Sequence, residues 1–493
     1  MLWIGFSEKC DHSHSAVLKR LRRSGLIEFC AAIIRDGSSF ENEVLDEPLI
    51  SHYDAKFARY ERAVTNFSGI VDQESYASFA PFEGETLRMM DHLVDPYTDC
   101  IFHVSYEERR QMFLRHCSFW SGYLSKRGVT HCVFFGVPHE GYDFVILNIA
   151  QLLNIPTIIL HKEKTSNAEL QETLSRRSPG TSYFHSEFFV SENLADIGRW
   201  NLAKEIKETG NLMGINFVCS SHLSDLMSGN NKSAENLSVS SRQFNFALVR
   251  KVLIARLKKP MTFLLVLGRI IRVFNQRRSH SIFSEKERSN QNFVLYCLPY
   301  QPEESSSPRG GIFTEQLLVL KMLSESLPVG WSIRVREHPD QYWRLQPRAT
   351  GFWSEVARIP KVSVAPLSEP FCDSYRNARA VALVAGSSAV EAWIQGIPVL
   401  LFGKMFLRFA PRVFQIETIN DLKVAFLNIE RGIVIKNSEI DKFISWSELY
   451  TFVGCLGKLP KVKNFPFSTV ATTTDNLESI LICWFKLRNS KFE

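Results

Sequence analysis

Along the first 160 residues, short unbroken apolar runs alternate with stretches whose apolar positions recur at helical spacing. LWIGF (2–6) reads as a first strand, the stretch around AVLKRLRR (16–23) as a helix, and IEFCAAIIR (27–35) returns to an apolar run. THCVFFGVP (130–138) then predicts a strand, YDFVILNIAQLLN (142–154) a helix and IPTIIL (155–160) the next strand. Strand, helix and strand within about thirty residues is the mark of a βαβ unit with parallel strands.

From Lys162 to about Gln291 the pattern loses strand character and becomes helical and polar, with a loop-like SGNNKSAENLSVSS at 228–241. Then FNFALVRKVLIARLKKPMTFLLVLGRIIRVFNQRR (244–278) mixes apolar positions with lysines and arginines at helical spacing. Two readings stay open for it: a helix packed on the domains with its basic face in water, or a helix lying on an anionic membrane surface. Its most apolar part, 260–274, is shorter than the ~20 residues a spanning helix needs and carries Arg269 and Arg272.

A second α/β region begins at QNFVLYCLPY (291–300). NFVLYCLP predicts a strand, FTEQLLVLKMLSESLP a helix, WSIRVREHP and KVSVAP strands, DSYRNA a short helix, AVALVAG a strand, SSAVEAWIQG a helix and IPVLLFG a strand. That order is a doubly wound sheet. The expected organisation is an N-terminal Rossmann-like domain at 1–162, a helical insert at 163–290, a second Rossmann-like domain at 291–470 and a C-terminal helix at 471–493. Two such domains facing a cleft would gather the carboxyl ends of their strands, where open α/β sheets bind ligands.

Composition narrows this reading only at a few points. A chain of 493 residues, 45% hydrophobic and 22% charged, folds and exceeds one ordinary core. The net charge of +6 is small for its length and argues against nucleic acid as a partner. Ten scattered cysteines, with no CxxC pair, read as reduced thiols of a cytoplasmic protein. The N-terminus has no basic segment before its short apolar run, so no signal peptide is expected.

The residues suited to chemistry fall at predicted strand ends. In AVALVAGSSAVEAWIQG the strand stops at Gly386, and a helix opens on Ser387 and Ser388. That sets two hydroxyls and free backbone N–H groups at a positive helix end, which suits phosphate. The plainer alternative is a capping box, Ser388-x-x-Glu391. In IRVREHPDQ, Pro339 holds His338 in extended geometry at the end of a strand, where an imidazole can donate to an anion or protonate a departing phosphate. LPYQPEESSSPRGGIF (298–313) carries Gln301, Glu303, Glu304, three serines, Arg309 as a fork for an anion, and Gly310-Gly311 for close backbone approach. FFGVPHEGYD (134–143) puts His139, Glu140 and Asp143 in one turn, either as proton-transfer groups or as carboxylates at a helix start.

Taken together, YQPEESSSPRGGIFTEQL, VREHPDQ and AGSSAVEAWIQGIPVLLFG resemble the bacterial capsule polysaccharide biosynthesis family, surface-carbohydrate glycosyltransferases of GT-B architecture. PHEGYDFVILNIAQLLNIPTIIL resembles the matching N-terminal segment. The HP pair followed by a serine pair is also similar to bacterial sialyltransferases and 3-deoxy-manno-octulosonate (Kdo) transferases, which use CMP-activated sugars.

This resemblance implies an α/β fold of GT-B type and a nucleotide-sugar donor whose phosphate is held by His338, Pro339, Gly386, Ser387 and Ser388, with Gln301 nearby. It implies that Glu391 contacts the ribose, and that Arg309 and Arg336 are the cations available for a donor carboxylate. His139-Glu140-Gly141 is the nearest match to the acid-acid-glycine motif of the sialyltransferases, with histidine in place of the first acid. Glu140 is thus the implied base, with Glu303 and Glu304 as rivals.

No DxD sequence suggests a metal site, so neither metal nor other cofactor is expected. The expected acceptor is a surface glycan or glycolipid, and the expected location is the cytoplasm with peripheral contact at the inner membrane. A nucleotide-sugar epimerase and a non-catalytic polysaccharide-assembly protein remain as other readings.

Overall fold

The computed structural model describes residues 1–5, 11–34, 45–62, 71–90, 105–161, 187–197, 199–215, 217, 249–250, 253–254, 260–284, 292–369, 371–375, 377–432, 436–453 and 468–489. The chain forms two compact units, one of Met1–Met90, Tyr106–Ala234 and Ile444–Glu493, the other of Asp91–Ser105 and Glu235–Phe443. Both are α/β, the class expected.

In the first unit, β1 (Leu2–Gly5), β2 (Ala31–Ile34), β3 (Ile50–Ser51), β4 (Cys132–Phe135) and β5 (Thr157–His161) pair in parallel in the order β3-β2-β1-β4-β5. Consecutive residues Leu2, Trp3 and Ile4 are all fully buried, as happens when both faces of a parallel sheet are covered. Helices α1 (Asp11–Arg23), α2 (His52–Lys56), α3 (Gln73–Met89), α4 (Tyr106–Lys126) and α5 (Tyr142–Leu152) connect the strands.

The expected insert departs from the prediction. Glu187–Ser191 is a strand, β6, antiparallel to β5, and Asn201–Leu212 (α6) packs beside it. The apolar run in EFFVS is too short to show a period of its own, and its strand state comes from pairing with β5. The loop 228–241 lies outside the described residues.

Beyond Ile444 the chain belongs again to the first unit. A two-residue strand at Phe452–Val453 extends the sheet past β6, and a helix at Ser468–Asn489 packs against α1 and α6. Leu477, Ile480, Leu481 and Trp484 of that helix are fully buried in one core with Trp3, Leu21 and Ile206. Arg20 also bridges to Asp475 (2.7 Å) and Glu478 (2.8 Å), but exposed pairs of this kind add little beside the apolar burial.

The second unit holds six parallel strands in the order β12-β11-β10-β7-β8-β9. These are β7 (Phe293–Cys297), β8 (Ser332–Arg336), β9 (Val362–Val364), β10 (Ala380–Leu383), β11 (Val399–Leu401) and β12 (Val413–Gln415). The helices used below are α7 (Pro260–Phe283), α8 (Gln316–Ser326), α9 (Pro339–Trp343), α10 (Phe352–Arg358), α11 (Phe371–Tyr375) and α12 (Ser387–Ile394). The chain runs from β7 to β8 and β9 on one side, then crosses to β10, β11 and β12 on the other. That makes β7 and β10 the point where strand order reverses. Register places Leu401, Leu383, Cys297 and Arg336 side by side, so the loops leaving these strands rise from one sheet edge.

A buried ion pair fixes that edge. Glu337 and Arg348 have side chains that are 0% and 2% exposed, and they pair in bidentate fashion, Nη2 to Oε1 at 2.5 Å and Nε to Oε2 at 2.7 Å. Arg348 also donates to the Gln301 side chain (2.8 Å) and the Pro299 carbonyl (3.0 Å), while Glu337 accepts the His338 N–H (2.7 Å). The backbone N–H of Arg348 donates to the Gln276 side chain of α7 (2.7 Å). One guanidinium thus joins the exits of β7 and β8, and its backbone ties them to α7.

Removing one member leaves a buried charge without its counterion. Arg348→Met is expected to cost about 3–5 kcal/mol in chemical denaturation. The double change Glu337→Leu with Arg348→Met is expected to recover a large part of that loss, although the His338 N–H loses its acceptor.

The first unit carries an acid-sensitive core. His14 lies against the rings of Trp3 and Phe135 (5.5 and 4.1 Å) and His116 meets the Tyr60 hydroxyl at 2.5 Å. Burial pushes both imidazoles down to about 3. The unfolded chain therefore binds more protons once pH drops below about 6.5, and stability falls from there toward pH 3 by about 1.4 kcal/mol per unit for each histidine. Asp143, which burial pushes up to about 6, opposes this, since the stability it adds in acid is lost as pH rises from 3.8 through 6. Two histidines outweigh one carboxyl. Urea midpoints should fall between pH 7 and pH 5, and His14→Phe should flatten that fall by one histidine's share.

Candidate functional site

The loop leaving β7 is built to sit close to the end of β10. A Cβ added at Gly310 would lie 2.5 Å from the Ser306 carbonyl oxygen and 2.7 Å from Val384 Cγ1, so only glycine lets the loop approach this far. The glycine expected to admit a ligand therefore admits β10 instead. Glu303 turns the loop, its carbonyl accepting the N–H groups of Ser306 (2.9 Å) and Ser307 (3.0 Å).

Two predicted ligand contacts in this loop are committed to the fold. The guanidinium of Arg309 is almost fully buried, and its Nε and Nη2 donate to Glu304 Oε1 at 2.9 and 2.5 Å. A desolvated cation needs such a partner, so the fork expected to hold a ligand anion is neutralised by Glu304. Gln301 donates through Nε2 to the Thr314 carbonyl (2.9 Å) and accepts from Arg348, while its backbone N–H and carbonyl bond the Gln341 side-chain amide (both 2.9 Å). Its side chain holds the loop.

At the exit of β8, His338 adopts φ −68° and ψ 129°, the extended geometry that a following proline imposes. Pro339 opens α9, where its missing N–H costs nothing. His338 Nδ1 accepts the Asp340 N–H at 3.2 Å, which leaves the ring proton on Nε2. Burial pushes the imidazole down to about 4, against the pull of Asp340 and Glu337. The imidazolium expected from the sequence is thus a neutral ring at pH 7, and what it offers an anion is the Nε2–H bond.

At the exit of β10, Gly386 has φ 144°, a value that side chains disfavour. It occupies the N-cap itself, so α12 starts at Ser387 and no side chain caps it. The capping box is absent for a simple reason of register: Ser388 is already inside the first turn, and Glu391 lies a turn beyond it. Among the described residues neither serine hydroxyl is engaged by another group. Glu391 has a partner of its own.

β7 lies between β8 and β10, so His338 and the serines flank it, with their strands about 10 Å apart. The thiol of Cys297, at the end of β7, is pushed up to about 12 by burial, and it feels Arg336 from one side and Glu391 from the other. Both charges therefore stand around the same strand end. Arg336 lies 5.5 Å from the Phe371 ring of α11, whereas Arg334, on the same strand face, is buried against Glu369 at 2.6 Å.

The acidic turn of the first unit follows β4. Asp143 is fully buried and its carboxylate accepts the N–H groups of His139 (3.0 Å), Glu140 (2.8 Å) and Phe144 (2.8 Å), so it shapes the turn and does not face a substrate. His139 Nδ1 meets the Val137 carbonyl at 2.7 Å, which fixes its proton on that nitrogen. Glu140 Oε2 lies 2.5 Å from Lys56 Nζ, and Oε1 lies 4.0 Å from His52 Nε2 and 3.9 Å from His139 Nε2. His52 in turn meets the Tyr142 hydroxyl at 2.8 Å.

Sequence reasoning passed over His52 and Lys56. They are four residues apart on α2 and so share one face, which was the available signal. The cluster sets the Lys56 ammonium and two imidazoles around one carboxylate, so the carboxylate that could take a proton from a hydroxyl is already paired with a cation. Among the described residues no group of three or more His, Cys, Asp or Glu side chains is arranged to hold a metal ion.

No family model matches the sequence, and no curated protein matches it. Solved structures similar to it include a beta-Kdo 2,7 transferase, KpsC of Thermosulfurimonas dismutans, at 13% identity over 67% of this chain and 88% of that one, with a TM-score of 0.27. The UDP-GlcNAc 2-epimerase of Methanocaldococcus jannaschii is 12% identical over 90% of this chain and 99% of that one, with a TM-score of 0.25. The spinosyn rhamnosyltransferase SpnG is 9% identical over 91% and 95%, with a TM-score of 0.23.

Proposed function

We propose that the chain is a glycosyltransferase that moves a sugar from a nucleotide donor to a surface glycan or glycolipid, with a CMP-linked ulosonic acid such as Kdo as the donor. The observation that carries this reading is the edge of the second unit. There a helix begins with two serine hydroxyls that no described residue engages, and on the other side of β7 a neutral histidine carries its proton on Nε2. Helix N–H groups, hydroxyls and an imidazole N–H are donors suited to a phosphate, and they sit at the point of strand reversal where α/β sheets bind nucleotides.

In the reaction, the bond from the anomeric carbon to the donor phosphate breaks and its electron pair leaves with CMP. The acceptor oxygen forms the new bond to that carbon, and its proton passes to a general base. Donors aimed at the leaving phosphate lower the barrier without needing a metal ion. Arg336, beside the end of β7, is assigned to the carboxylate of the ulosonic acid.

A thermal-shift series with CMP, CDP, UDP and GDP tests the donor. CMP should raise the melting temperature, since a ligand at 100 times its Kd adds about 2.7 kcal/mol, and a response to UDP alone would contradict the assignment. His338→Ala should weaken CMP binding roughly tenfold, the size of one lost hydrogen bond to a charged group. Release of CMP that depends on added acceptor supports transfer; turnover of the donor alone would point to an epimerase.

A further inference from the structure

The positive surplus of the chain is concentrated in one place. Residues 236–284 hold ten lysines and arginines and not one aspartate or glutamate, which leaves 48 basic against 52 acidic residues elsewhere. α7 spans most of the second half of that segment.

The inner face of α7 is fixed to the second unit. Val266, Ile270 and Val273 pack with Tyr342 and Leu345, Arg269 donates to the Leu345 carbonyl at 2.7 Å, and the ring of His280 lies 4.5 Å from that of Trp353. With that face occupied, a water-facing side would be polar. It is not. Leu264, Leu267, Ile271 and Ile282 fall at helical spacing along the opposite side and are 60%, 36%, 51% and 69% exposed. They span nineteen residues, roughly 27 Å of helix, with exposed Asn275 and Arg278 between Ile271 and Ile282. Arg272 and Arg278 are exposed on the same side.

We propose that this outer face of α7 docks on the surface of an anionic lipid bilayer. A helix whose apolar stripe is flanked by arginines buries the stripe at the level of the acyl chains and leaves its cations among the headgroups. Charge selects the occupant. A segment with ten cations and no anion repels a second copy of itself, and an apolar stripe has nothing to gain from the phosphates of a nucleic acid. No helix among the described residues is long and apolar enough to cross a membrane, so the contact is with the surface. The reading from sequence had the basic side of this helix either in water or on a membrane. The structure adds that the outward side is also its apolar one.

The test uses the full chain in sedimentation with vesicles of phosphatidylcholine alone and with 30% phosphatidylserine, at about 0.1 and 0.5 M salt. Binding should be at least tenfold stronger to the anionic vesicles and weaken at high salt. Leu267→Ser with Ile271→Ser should reduce it more than tenfold with an unchanged melting temperature, and Arg272→Gln with Arg278→Gln should remove the preference for phosphatidylserine. Absence of binding to anionic vesicles, equal binding to both kinds, or unaltered binding by the serine variant would overturn the proposal. So would a concentration-dependent dimer that the serine variant abolishes and that forms without vesicles. Nucleotide binding is measured on the same samples, so a failure of the donor assignment is seen separately.

Discussion

The pairing of Glu337 with Arg348 is the interaction on which the candidate site of the second unit depends. Buried ions stabilise little in net terms, because desolvation consumes much of their attraction. Their value here is geometric. A bidentate pair accepts few orientations, and two further donors of this guanidinium are held by Pro299 and Gln301. It therefore sets where the β7 loop lies relative to the start of α9, and with it where His338 points. The same carboxylate that pairs with the arginine accepts the His338 N–H. Backbone and ring are both held, the ring by the Asp340 N–H.

Around that frame the polar residues divide into two groups. Arg309, Gln301 and Arg334 have partners inside the protein that use their charges or their hydrogen-bonding groups. The serines at the start of α12 and the Nε2–H of His338 do not have such partners among the described residues. A folded chain satisfies its buried polar groups, and donors left open at a strand-reversal point are those a ligand would satisfy. This difference in commitment leaves a set of uncharged donors at the edge of the sheet.

Much of the fold could be read from the chain because parallel strands buried on both faces leave continuous apolar runs, as FVLYC and AVAL do. The His-Pro pair and the Gly-Ser-Ser sequence also announced their backbone geometry, since proline and glycine restrict or permit φ directly. What a side chain touches was a different matter. Arg309 looked available because nothing in its local sequence tells which way a guanidinium turns, and its partner is Glu304 only because the loop doubles back. His52 and Lys56 are some eighty residues from Glu140, and β6 owes its strand state to pairing with β5. Each of these is a tertiary outcome, decided by contacts that no local pattern carries.

The central claim is that His338 and the first turn of α12 hold one phosphate between them. A crystal structure of the full chain with CMP tests it most directly. A phosphate oxygen about 3 Å from His338 Nε2, with another at the same range from Ser387 or Ser388, is the predicted result. A nucleotide phosphate bound away from the end of β7, or held by Arg309 after breaking its pair with Glu304, would contradict it.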